Sequence, residues 1–109
     1  MKVALVTGGA TGIGAATVSA LAADNLSVAL HYSNSKAAAI KLADQLKSNG
    51  AKVEIFQADL TQKGSAEELV KNVTGKLGAI DILINNAGLM SDESITKMSD
   101  ELWDEAINL

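Results

Sequence analysis

The sequence has no cysteine and no proline, and only one histidine among 109 residues. Without thiols there are no disulfides and no thiolate metal ligands, and a single imidazole argues against a protein-built metal site. No apolar run approaches the ~20 residues that a membrane-spanning helix needs. From Lys2 the chain passes straight into a strand pattern, without the apolar core and small-residue cleavage site of a signal peptide. The net charge is −4 and no basic stripe offsets it, which argues against nucleic acid as a partner. No Pro- or Ser-rich linker, repeat or low-complexity tract divides the chain, so its length makes one domain. A chain of this size hides roughly two-thirds of its surface on folding, and 48% apolar residues suffice for a modest core. The expectation is a cytoplasmic chain without metal, membrane or nucleic acid.

What is present is concentrated in residues 2–14. Val3, Leu5 and Val6 make the short apolar run of a strand buried on both faces. Glycines follow at 8, 9, 12 and 14, and then Ile13, Ala16, Thr17, Ala20 and Leu21 fall at helical spacing. A strand, a glycine turn and a helix start in that order form an anion site. The first-turn N–H groups have no helical partner, the dipole adds positive potential, and absent side chains let a phosphate reach the backbone. The spacing is T-G-x-x-x-G-x-G from Thr7 to Gly14, not the G-x-G-x-x-G dinucleotide fingerprint.

Strands and helices then alternate, which predicts a parallel sheet with crossover helices. The first helix covers about residues 12–23, and Ser27 to Tyr32 is a second strand. Ser33, Asn34 and Ser35 are cap-type residues before a helix over about Lys36 to Ser48, with Ile40, Ala43 and Lys47 on one face and Ala39, Leu42 and Leu46 beside them. Asn49-Gly50 stops it, and Lys52 to Gln57 is the third strand. A capping-box spacing, Ser65 to Glu68, opens a third helix whose stripe is Ala66, Leu69, Val70, Val73 and Leu77. Residues 80–85 are a strongly apolar fourth strand, followed by a loop over 86–97. Ser99 caps a last helix with Leu102, Trp103, Ala106 and Ile107 on its apolar face, and the sequence stops inside it, which reads as a truncation. The right-handed crossover rule gives strand order 3-2-1-4, the first half of a doubly wound Rossmann-type α/β sheet with helices on both faces. Ligands then sit at the carboxyl edge where the order reverses, between strands 1 and 4. The motifs at 7–14, 32–36, 59–60 and 85–88 converge there.

Those motifs resemble the short-chain dehydrogenase/reductase family: T-G-G-A-T-G-I-G at 7–14, D-L at 59–60, N-N-A-G at 85–88 and W-x-x-x-x-N ending at Asn108. The resemblance spans the chain but covers the cofactor-binding half of the family's domain. It implies NAD(P)-dependent hydride transfer to or from a carbonyl or alcohol carbon of a small molecule, and a homo-oligomeric full-length protein. It also implies that Gly8, Thr11, Gly12, Ile13 and Gly14 cradle the pyrophosphate and that Asp59 accepts from the adenine amino group with Leu60 alongside. Asn86, Ala87 and Gly88 would line the ribose and nicotinamide side and brace the sheet, and the backbone carbonyl of Asn108 would hold a water of the proton relay. From the residues alone, Asp59 equally reads as the cap of the next helix, since Thr61 and Gln62 follow. Asn85 and Asn86 equally read as loop amides, and Asn108 as a surface helix residue.

The end of the second strand selects between the nicotinamide cofactors. An NAD enzyme needs a carboxylate about 20 residues past the turn for the ribose 2′-OH. This window reads H-Y-S-N-S-K, and the next acid is Asp44. Hydroxyls, an amide, a helix N-terminus and Lys36 accept a 2′-phosphate that a carboxylate would repel. The expectation is NADP over NAD, held near Tyr32 through Ser33, Asn34 and Lys36, although Ala10 is neutral where NADP members of the family often carry a base.

The family's chemistry resembles general acid catalysis by a tyrosine four residues before a lysine on one helix, with a serine upstream; the lysine's charge lowers the tyrosine pKa. Tyr32, Lys36 and Ser19 match that string formally. Tyr32 ends a strand, however, so it does not share a helical face with Lys36, and the location belongs to the adenosine end. His31 reads as a strand-end polar residue, not a general base. The catalytic serine, tyrosine and lysine are therefore absent, and the 109 residues alone are expected to be weakly stable and inactive. A non-catalytic nucleotide-binding module with the same fold is the alternative. A Rossmann-like methyltransferase fits poorly, because it normally carries an acid where this chain has none.

Overall fold

A computed structural model describes residues 1–86. The expected fourth helix, with Ala87, Gly88 and Asn108, lies outside the described residues. Four strands, β1 (Val3–Thr7), β2 (Ser27–Tyr32), β3 (Lys52–Gln57) and β4 (Ile82–Asn85), alternate with three helices, α1 (Gly12–Ala23), α2 (Lys36–Ser48) and α3 (Ser65–Leu77). All pairings are parallel and the order is β3-β2-β1-β4, as expected. Every residue of β1 and β2 is buried, which is why these strands read as mostly apolar runs and not as alternation.

The sheet separates two cores. Val3, Leu5 and Ala29 pack with Ala66, Leu69, Val70 and Val73 of α3 on one face. Val6, Val28, Leu30 and Tyr32 pack with Val18 and Ala22 of α1 and Ala39 and Ala43 of α2 on the other. The fourth strand starts two residues later than expected. Ile80 is a buried anchor, and the Asp81 carboxylate accepts the Val3 N–H at 2.9 Å. At β3, a terminal strand among the described residues, the Glu54 carboxylate lies 3.9 Å from Lys47 of α2 and 3.3 Å from Lys76 of α3.

Three local expectations are corrected. The buried face of α1 is Gly14, Val18 and Ala22, while Ile13 is 78% exposed and Ala16 and Ala20 face solvent. This helix is small and apolar nearly all round, so spacing could not choose a face. In α2 the buried stripe is Ala39 and Ala43, with Ile40 40% exposed and Lys47 in solvent. Small side chains win that face because they let the helix lie close to the sheet. Ser65 does not open a capping box. Gly64, at a φ of 82°, is the N-cap of α3, and the Ser65 hydroxyl donates back to the carbonyls of Asp59 and Gln62.

Leu69 is 1% exposed and Ile40 40%. Leu69→Ala is expected to destabilise the fold by about 2–5 kcal/mol and Ile40→Ala by about 1 kcal/mol or less; urea denaturation of both variants checks the contrast.

Candidate functional site

At the carboxyl ends of β1 and β4 the chain turns through residues 8–11 into α1. Gly8 has a φ of 63° and Gly12 a φ of 57°, a left-handed conformation that costs residues with a side chain about 1–2 kcal/mol. Gly14 is needed for closeness instead. A Cβ there would collide with the Gly8 carbonyl oxygen and stand 2.7 Å from the Asn86 side-chain nitrogen. The helix therefore begins flush against the strand end.

Within α1 the Ala15 N–H is the first to find a helical acceptor, Thr11 O at 3.2 Å. The N–H groups of Gly12, Ile13 and Gly14 have no acceptor among the described residues. Thr11 is the N-cap and adds no side-chain bond. Unmet donors, the positive end of the helix dipole and bare glycine backbone are the features an anion site needs.

Gly8 and Gly9 face the other way. The Gly8 N–H donates to His31 Nδ1 at 3.0 Å and the Gly9 N–H to the His31 carbonyl at 2.9 Å. Gly8 was expected among the phosphate-binding glycines; its N–H is turned inward, onto His31. The Gly8 carbonyl accepts from Asn86 Nδ2 at 3.4 Å. Thr7, buried at the end of β1, accepts from the Asn86 N–H at 2.8 Å and donates to Asn85 Oδ1 at 3.1 Å. Asn86 therefore braces β4 onto β1 and onto the turn.

The remaining motifs lie on the same edge. Tyr32 is buried against the α1–α2 core, and its carbonyl accepts the Ala58 N–H at 3.1 Å. Its side chain packs in that core, whereas Ser33 is half-buried and Asn34, Ser35 and Lys36 are exposed. Ser35 is the N-cap of α2 without a side-chain bond. Tyr32 on a strand and Lys36 in the first turn of α2 do not share a helical face, and the Ser19 hydroxyl donates to the Ala15 carbonyl at 3.0 Å. Asp59 is exposed; its Oδ1 accepts from the Thr61 N–H at 3.0 Å and the Thr61 hydroxyl at 2.6 Å. These bonds hold its carboxyl below the usual carboxylate range, the Thr61 hydroxyl contributing most. Leu60 is buried in the α3-side core. Among the described residues no group of three or more His, Cys, Asp or Glu could hold a metal ion, and no helix is long and apolar enough to cross a membrane.

Sequence reasoning missed Thr7 and His31. The signal was available in each case: a polar side chain inside an apolar run, in a strand buried on both faces, has to find a partner. His31 is 2% exposed, with Nε2 2.8 Å from the Ala58 carbonyl. Burial pushes its pKa below the ordinary 6.5, with the bond to Ala58 opposing part of that shift.

Two measurements follow from this geometry. Gly14→Ala is expected to destabilise by about 3 kcal/mol or more, since backbone rather than a flexible side chain blocks the new methyl. Gly75→Ala, with open space around it in α3, is expected to stabilise by about 0.5–1 kcal/mol; thermal melts of the pair test both signs. Because the pKa of His31 is lowered, the unfolded chain binds more protons than the folded one below pH 6.5. The stability this residue confers is full above that pH and is lost as pH falls toward the depressed value. Denaturation midpoints from pH 7.5 to 5 should decline, and His31→Asn should flatten that part of the slope.

With the site laid out, the chain can be set beside known proteins. The family model for short chain dehydrogenase matches residues 2–109. A curated relative, the 3-oxoacyl-(acyl-carrier-protein) reductase FabG of Staphylococcus epidermidis, is 34% identical over 107 residues, which are 98% of this chain and 44% of that enzyme. The chain thus spans less than half the length of the curated relatives it matches. Among solved structures, the blue fluorescent protein from a metagenomic library, in complex with NADPH, is 34% identical with a TM-score of 0.76, over 96% of this chain and 43% of that one. FolM alternative dihydrofolate reductase 1 from Brucella suis, in complex with NADP, is 35% identical with a TM-score of 0.75, over 94% and 41%. With its sheet order, its glycine turn and a family match over nearly every residue, this chain belongs to the short-chain dehydrogenases, a family of oxidoreductases.

Proposed function

We propose that the chain is the cofactor-binding portion of an NADP-dependent oxidoreductase that moves hydride between nicotinamide and a carbonyl or alcohol carbon. The observation that carries this reading is the set of unmet N–H groups at Gly12, Ile13 and Gly14, with no side chain at Gly12 or Gly14 to shield them. A diphosphate supplies the acceptors these donors lack. Ile13, a large apolar residue left 78% exposed at the helix start, gains cover from the same ligand.

Ser33, Asn34 and Lys36, at the start of α2 and with no carboxylate among them, are assigned to the 2′-phosphate. Asp59 is assigned to the adenine amino group, which its second oxygen can accept. Asn86, with Ala87 and Gly88 beyond the described residues, is assigned to the ribose and nicotinamide side, and Asn108 to the proton relay through its carbonyl. Two solved relatives of similar fold hold NADP or NADPH, which supports the choice of cofactor. When bound, the nicotinamide supplies or takes up the hydride. The chain's own residues bind and orient it, and the sequence holds no serine and Tyr-x-x-x-Lys on a helix to move the proton. A small carbonyl or alcohol compound as substrate, a homo-oligomer as the full-length state and the cytoplasm as its location complete the proposal.

Calorimetric titration of the chain with NADPH and NADH is the test. NADPH should bind about tenfold tighter or better, and Asn34→Asp should reverse the order by repelling the 2′-phosphate. Tighter NADH binding by the parent chain overturns the NADP assignment, and binding of neither cofactor overturns the reading. The chain alone should not oxidise NADPH above background with ketone substrates.

A further inference from the structure

His31 is the buried side chain nearest to chemistry that the reading above leaves without a task. Both of its ring nitrogens meet backbone groups, and those groups dictate its protonation. Gly8 offers an N–H, so Nδ1 must be a bare acceptor; Ala58 offers a carbonyl, so Nε2 must carry the proton. One neutral tautomer satisfies both partners. An imidazolium would set an Nδ1–H against the Gly8 N–H and bury a charge.

This ring stands two contacts away from the anion cradle. Its Nδ1 fixes the Gly8 peptide, and the Gly8 carbonyl is the surface on which Gly14 rests without room for a Cβ. The location of Gly14 in turn sets where the N–H groups of Gly12 to Gly14 point. The His31 carbonyl adds to the grip by accepting the Gly9 N–H.

We propose that His31 is a positioning residue for the diphosphate site, acting as a neutral imidazole whose Nδ1 seats Gly8 and thereby the start of α1. The inference rests on the nucleotide reading and adds to it a residue outside the glycine turn. The two nitrogens are also separable by substitution. Asn carries an oxygen at the δ position and can replace Nδ1 toward Gly8, but falls short of Ala58. Gln carries an amide nitrogen at the ε position and can replace Nε2 toward Ala58, but offers Gly8 nothing at the δ position.

The test compares NADPH affinity and thermal stability for the full chain and for His31→Asn, His31→Gln and His31→Leu. A role in stability alone weakens binding in step with melting temperature, whichever nitrogen is kept. The positioning role predicts a split. His31→Asn should bind NADPH within about threefold of the parent, whereas His31→Gln and His31→Leu should bind about tenfold more weakly, the loss of one backbone hydrogen bond. Nitrogen NMR of the parent ring at pH 7 should find Nδ1 bare and Nε2 protonated. Equal affinities for the Asn and Gln variants, or a protonated Nδ1, overturn the inference while leaving the nucleotide reading intact. Failure of the parent chain to bind NADPH brings down the nucleotide reading, and this inference with it.

Discussion

The backbone of Gly8 is gripped on both sides, its N–H by the His31 ring and its carbonyl by the Asn86 amide. That group is the point where β1 stops and the path to α1 begins, and neighbours from both sides of β1 close on it. β2 contributes through His31, and the segment after β4 through Asn86. Because Gly14 lies directly against the same carbonyl, the helix cannot lift or slide without disturbing the grip. The order β3-β2-β1-β4 matters for this reason. It flanks the glycine turn with the two strands whose ends carry the amide and the imidazole.

Holding Gly8 this way divides the donors of the turn into two groups. Those of Gly8 and Gly9 are consumed internally, and those of Gly12, Ile13 and Gly14 have no acceptor among the described residues. The pre-set geometry means that little ordering remains to be done when an anion arrives. Thr7 extends the arrangement by accepting from the Asn86 N–H and donating to Asn85, so the last residue of β4 and the one after it are tied to the last residue of β1.

The large-scale architecture was legible from the residues. Val3 to Val6, Ser27 to Tyr32 and residues 80–85 are apolar runs broken by glycines and cap residues, and their alternation with helical stretches leaves few topologies. The stripe of α3 was legible because charged residues occupy its other faces. The faces of α1 and α2 were not, since in G-I-G-A-A-T-V-S-A-L-A-A and K-A-A-A-I-K-L-A-D-Q-L-K-S small residues lie on several sides and close approach to the sheet decides between them. The glycine pattern pointed to this turn, but spacing alone could not say that the Gly8 N–H is taken by His31 while those of Gly12, Ile13 and Gly14 find no acceptor among the described residues. That His31 and Thr7 need partners was legible from their place in apolar runs, but the partners, 27 and 79 residues away in sequence, were not.

Glu54 has a consequence for the company this chain keeps. Placed midway along a terminal strand among the described residues, with Lys47 and Lys76 drawn to it from helices on opposite faces, it puts hydrated charge across a row of otherwise inviting peptide groups. A stray extended segment trying to add itself there would have to strip water from three ionic side chains to gain a few ladder bonds. That border of the sheet is thereby guarded against templated growth.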